Sequence, residues 1–151
     1  MRLIIDTMLS GIIGTAGMTL VMWAITKSGI AHADMIRAIG SIFTRSYKDS
    51  VTLGIIIHFG VGIIIAFFYV IIISILTPAS TIKTVGAGAM IGLFHGVVFS
   101  FLLVVTVAEH HPLEQFRSAG SEIAVAHLAG HIVYGLLVGI VVGLTGVRIT
   151  L

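Results

Sequence analysis

Four histidines stand inside long apolar stretches of this 151-residue chain: His58, His95, His127 and His131. An ionisable side chain in a membrane span is costly unless it faces protein, water or a ligand, so each is a functional candidate. Two of them head matching runs, His58-x3-Gly62-x3-Ala66 and His131-x3-Gly135-x3-Gly139. Residues four apart stack on one helix face, so each run presents an imidazole followed by a groove of small residues. Imidazole is the commonest ligand for zinc, copper and iron, and facing helices of a bundle bring such ligands together. That chemistry makes His58, His95, His127 and His131 a candidate site for haem or for a copper, zinc or iron ion. Glu109, His110 and His111 would collect at its mouth. A second use is a proton or cation relay, entering past Glu109 and Glu122 and continuing to Tyr69 and Tyr134. A third is structural: imidazoles bonding across helices to carbonyls, Ser100, Thr19 or the tyrosines, each bond contributing about 0.6–2 kcal/mol. The structural use ranks ahead of ligand binding, because no spacing is diagnostic. His127-x3-His131 lacks the glutamate of a His-Glu-x-x-His protease motif, with Leu128 in its place.

The elements that position these histidines follow from composition. The chain is 58% hydrophobic and 9% charged, against about a quarter charged in a soluble domain. That leaves too little polar surface to clothe a water-soluble globule, so the lipid bilayer is the expected solvent. A formal net charge of +2 without a clustered basic face gives no case for nucleic-acid binding. The absence of cysteine excludes disulfides, thiolate metal sites and cysteine nucleophiles. A helix needs about 20 apolar residues to cross a bilayer, and four segments qualify: 3–25, 51–76, 82–107 and 123–147. The expected fold is therefore a single all-α domain over the whole chain, a four-helix transmembrane bundle. Pro78 breaks the chain between the second and third spans, Pro112 between the third and fourth.

Four spans put both termini on one side, with loops 26–50 and 108–122 on the other. Those loops carry Lys27, Arg37, Arg45, Lys48 and Arg117, against Arg2, Lys83 and Arg148 opposite. The positive-inside rule then makes the loops cytoplasmic. Within the first loop, Asp34 can cap a helix with Met35, Ile39, Ile42 and Phe43 on one face, suited to the headgroup region. A loop covering the bundle end is the alternative. Asp6 is expected to snorkel or cap, with Lys83 or Arg148 within reach on the same side. Met18 and Met22 could be soft ligands opposite His95, although methionine at helical spacing is more often packing.

Helices in lipid associate through close approach of small residues. Every span supplies them: Ser10, Gly14 and Gly17; Gly62 and Ala66; Gly88, Gly92 and Gly96; Gly135, Gly139 and Gly143. These stripes exceed what four helices need among themselves, which points to further membrane subunits or self-association. The second and fourth spans run in one direction with matching histidine stripes, which suggests two helix hairpins in a parallel repeat. At about 1.5 Å rise per residue, His58 and His127 lie roughly 10 Å in from the loop side, and His95 and His131 about 5 Å deeper. The depths pair His58 with His127 and His95 with His131.

Three motifs, Gly14-Thr15-Ala16-Gly17-Met18-Thr19, His58-Phe59-x2-Gly62-x3-Ala66-x2-Tyr69 and Gly130-His131-x2-Tyr134-Gly135-x3-Gly139, resemble a family of small four-span prokaryotic membrane proteins of unknown function. The resemblance implies four spans in a prokaryotic plasma membrane, with His58 and His131 as positions to test, and no activity. His95, His127 and the Glu109-His110-His111 run lie outside its pattern. The functional expectation is a non-enzymatic, multi-pass membrane protein, an accessory or assembly subunit of a larger complex. The alternatives are an intramembrane metal- or haem-binding redox protein and a small transporter or proton pathway.

Overall fold

The computed structural model describes residues 2–76, 80–117 and 120–146, without the side chains of residues 2 and 103–107. Every regular element among them is a helix: α1 (Arg2–Lys27), α2 (Met35–Thr44), α3 (Ser50–Leu76), α4 (Thr81–His110), α5 (Glu114–Arg117) and α6 (Ser121–Thr145). Four of these, α1, α3, α4 and α6, are long and apolar enough to cross a membrane, and they coincide with the four expected spans. A helix satisfies its backbone groups within its own segment, so even the β-branched run Val70–Ile73 stays helical in apolar surroundings. The expected break at Pro78 and the end of the last span with Arg148 lie outside the described residues.

Local chemistry sets several ends. Asp34 accepts from the Arg37 N–H at 3.2 Å and caps α2, as its side-chain oxygen is suited to do. Ser80 caps α4 in the same way through the Lys83 N–H at 3.4 Å. Gly146, at φ 66°, ends α6 in the left-handed conformation that glycine adopts without strain.

The long helices pack in the order α3, α1, α6, α4, with the most extensive contact between α4 and α6. Glycine makes that contact possible. A Cβ on Gly88 would strike the Gly135 carbonyl oxygen, and one on Gly135 would strike that of Gly88. Gly92 lies against the His131 carbonyl, and Gly139 against Thr84 and Val85. Between α1 and α3, Gly11 meets Ile63 and Ala66, while Gly62 meets Thr15. Between α1 and α6, Gly14 abuts Tyr134 and Val138, and Gly17 abuts Leu137. The glycine stripes are thus consumed inside the molecule, contrary to the expectation that they exceed internal needs. The exceptions on the long helices are Gly60 and Gly86, which have nothing within 4 Å.

The suggested repeat holds within hairpins and fails between them. In α3 the small residues after His58 pack on α1, and in α6 those after His131 pack on α4. A twofold axis relating the hairpins would make α3·α4 equivalent to α1·α6. Yet α1 packs broadly on α6, whereas α3 and α4 barely touch. The missing contact leaves a cleft.

Polarity is distributed inside out. Thr7, Ser10, Thr15, Ser74, Thr84 and Ser100 are buried, while Ile4, Leu20, Ile56, Phe94 and Leu144 lie more than half exposed. Asp6 is also buried and makes no ion pair with Lys83 among the described residues, so it does not snorkel outward.

Candidate functional site

The cleft between α3 and α4 is a cavity of about 330 Å³. His58, Val61 and Gly62 of α3 line one wall, and His95 and Phe99 of α4 the other. His127, His131 and Tyr134 of α6 form its back with Thr15 and Met18 of α1. All four candidate histidines therefore reach one space. Half-exposed Val61 and Phe99 stand at its rim, which opens on the apolar outer face.

The loop-side end is closed by α2. A Cβ on Gly40 would strike the Ser50 carbonyl, and one on Gly54 the Ile36 carbonyl, so α2 lies directly on the start of α3. This splits the expected amphipathic face: Met35, Ile39 and Ile42 turn to the cavity, while Phe43 stays 64% exposed. The segment is thus a helix and also a cover for the loop-side end of the cavity.

The proposed mouth group separates. Glu109 and His110 are exposed, whereas His111 is buried and lines the cavity. His111 Nδ1 accepts from the Leu113 N–H at 3.1 Å, which assigns the proton to Nε2, and Nε2 then donates to the Ala38 carbonyl at 3.0 Å. Arg117 Nε donates to the His111 carbonyl at 2.7 Å. His111 is a brace between the α4–α5 connection and α2.

Inside the cavity, aromatic packing governs the deeper layer. The His95 and His131 rings lie 4.5 Å apart at 41°, His95 meets Phe99 edge-on at 4.6 Å, and Tyr69 meets Tyr134 edge-on at 5.3 Å. The Tyr69 hydroxyl bonds His95 Nδ1 at 2.9 Å. Tyr134 donates across the bundle to the Gly62 carbonyl at 2.6 Å, which a residue without Cβ leaves approachable. The structural use of the histidines is therefore realised at His95. It is not realised through Thr19, whose hydroxyl bonds the Thr15 carbonyl of its own helix at 2.7 Å. Met18 and Met22 pack against Gly130.

Sharing a cavity does not make the histidines a metal site. Among the described residues no group of three or more His, Cys, Asp or Glu side chains could hold a metal ion. The reason is in the packing: His95 is tied to Tyr69, the His95 and His131 rings lie against each other, and His111 is committed to backbone partners. What the cavity does contain is unmet hydrogen-bonding capacity. His127 Nδ1, His131 Nε2 and Thr15 Oγ1 are buried without a hydrogen-bond partner.

Residues 1–149 match the family described as "Family of unknown function (DUF6789)". The chain belongs to that family. No curated protein and no solved structure matches it. Membership covers the histidine runs and the cavity alike and assigns a role to neither.

Sequence reasoning missed Thr15, and it offered the covering role of α2 only as an alternative to a helix in the headgroup region. Thr15 lay within a motif that carried the family resemblance, between glycines read as packing positions. The Asp34 cap revealed that α2 exists, but not that it folds over the histidines.

Proposed function

We propose that this chain is a non-enzymatic, multi-pass integral membrane protein whose four long helices form a transmembrane bundle around a binding cavity. The observation that carries this reading is the inverted polarity. Serine, threonine and histidine side chains are buried while isoleucine, leucine and phenylalanine face outward on every long helix. In water such a surface would aggregate; in lipid it is solvated as well as another helix would be. Loops 26–50 and 108–122 carry the larger share of Lys and Arg and are assigned to the cytoplasm, in the plasma membrane of a prokaryotic cell.

Binding, rather than catalysis, fits a cavity whose side chains include no nucleophile paired with a base. A role as an accessory subunit is the second reading, supported by Gly60 and Gly86, two helix glycines open to a partner's close approach. A transport pathway has less support, because each long helix is continuous through its middle, whereas transport sites favour broken helices.

The test is membrane topology. Native cysteine is absent, so Lys48→Cys and Lys83→Cys each supply one label site. Resistance of the protein to carbonate extraction, with Lys48→Cys labelled only after permeabilisation and Lys83→Cys labelled in intact cells, is the expected result. Extraction with the soluble fraction, or labelling of both on one side, refutes it.

A further inference from the structure

We infer that the cavity between α3 and α4 is a binding site for an uncharged lipophile, about two rings in size, carrying a hydroxyl or carbonyl oxygen. The inference rests on the bundle's being in a membrane, because the cavity opens through Val61 and Phe99 onto the outer apolar face. A ligand would therefore arrive from the bilayer, not from water.

Size sets the first limit. A dry apolar cavity of about 150 Å³ admits benzene, and this one is about 330 Å³, room for a bicyclic molecule. The walls set the second. Ile57, Val61, Ile65 and Phe99 offer apolar surface over most of the space, so a charged ligand would lose its hydration with little in return.

The back wall sets the third. His127 is 7% exposed, lines the cavity, and has an Nδ1 with no partner; His131 Nε2 and Thr15 Oγ1 beside it are likewise unpartnered. Buried polar atoms in native proteins are nearly always bonded, and each one left unmet is costly. The remaining polar groups around the cavity, Tyr134 on the Gly62 carbonyl and His95 on Tyr69, are satisfied, so His127, His131 and Thr15 carry the unmet capacity among these lining residues. The last torsion of a histidine is close to two-fold, so a half-turn of the ring moves its nitrogens to the opposite edge. A neutral imidazole both donates and accepts, which suits a hydroxyl and a carbonyl alike; phenols and quinones have this chemistry. Among the described residues no three His, Cys, Asp or Glu side chains are grouped as a metal ion would need.

The experiment uses the full chain in lipid nanodiscs, with 2-naphthol and naphthalene as matched probes and empty nanodiscs to subtract partitioning. The expected result is saturable binding of both, with 2-naphthol about tenfold tighter, as one satisfied buried hydrogen bond provides. His127→Phe should reduce that preference below about threefold while naphthalene still binds. Val61→Trp, at the 51% exposed rim, should block both probes and needs no change in the packed interior. Three results would each overturn the inference: equal binding of the two probes, a preference that survives His127→Phe, or undiminished binding in Val61→Trp. The membrane reading fails separately, by the cysteine labelling, whatever the probes do.

Discussion

Replacing Gly135 with alanine inserts one methyl group where α4 and α6 touch backbone to backbone. That methyl would lie 3.0 Å from both the Gly88 carbonyl carbon and the Gly92 Cα, and would strike the Gly88 carbonyl oxygen. Carbon atoms rest about 3.5–4.0 Å apart, so the helices must separate locally by roughly half an ångström or more. No flexible side chain can yield, because every obstructing atom is backbone. Overpacking usually costs about 1–3 kcal/mol, and here the upper part of that range is expected, since α4·α6 is the most extensive interface in the molecule. Gly86→Ala is the matched control: it lies on α4, and beyond its chain neighbours and its own helix's backbone no atom lies within 4 Å of the new methyl. It should be neutral or stabilising by up to about 1 kcal/mol, through the lower backbone entropy of alanine. Gly88→Ala combined with Gly135→Ala should cost less than the sum of the two, because helices once parted admit the second methyl. Stability is read by titrating folded protein in mild detergent micelles with SDS and following helicity. If Gly135→Ala stays within about 0.5 kcal/mol of the wild type, a range ordinary for surface positions, the contact between these backbones is refuted.

Two further outcomes follow from the bonds around the cavity. Tyr134→Phe removes the hydroxyl donated to the Gly62 carbonyl and should lower stability in the same SDS titration by about 0.6–2 kcal/mol; an unchanged midpoint would contradict that bond. His111→Ala removes the brace between Ala38 and Leu113, so α2 should loosen first, seen as faster proteolysis within residues 26–50 while the long helices stay protected.

Much of this architecture was legible as sequence. The four long apolar helices, the Asp34-capped helix and the small-residue stripes are local properties, set by apolar length, capping chemistry and four-residue spacing. The pairing of His95 with His131 was legible for the same reason, since helical rise is constant, and their rings do lie against each other. A metal site was not legible in the same way, because ligation depends on how ring nitrogens are aimed, and aim is set by neighbours such as Tyr69 that are distant in sequence. The surplus of glycine was misjudged similarly: a stripe shows that a close approach occurs, not which helix makes it. Asp6 was read from its position near a helix end, whereas its burial depends on what packs there.

The sequence by itself determined that this chain is helical, that four helices are apolar enough to cross a membrane, and which residues lie on each face. Those properties come from the chain's own composition and periodicity. Only the tertiary structure decided that α1 sits against α6 while α3 and α4 stand apart. Glycine surfaces on every long helix do not by themselves name their partners, and the choice depends on fits such as Gly14 under Tyr134 and Gly88 on Gly135. That choice opens the cavity, folds α2 across its end, and leaves His127 Nδ1 and His131 Nε2 without a hydrogen-bond partner.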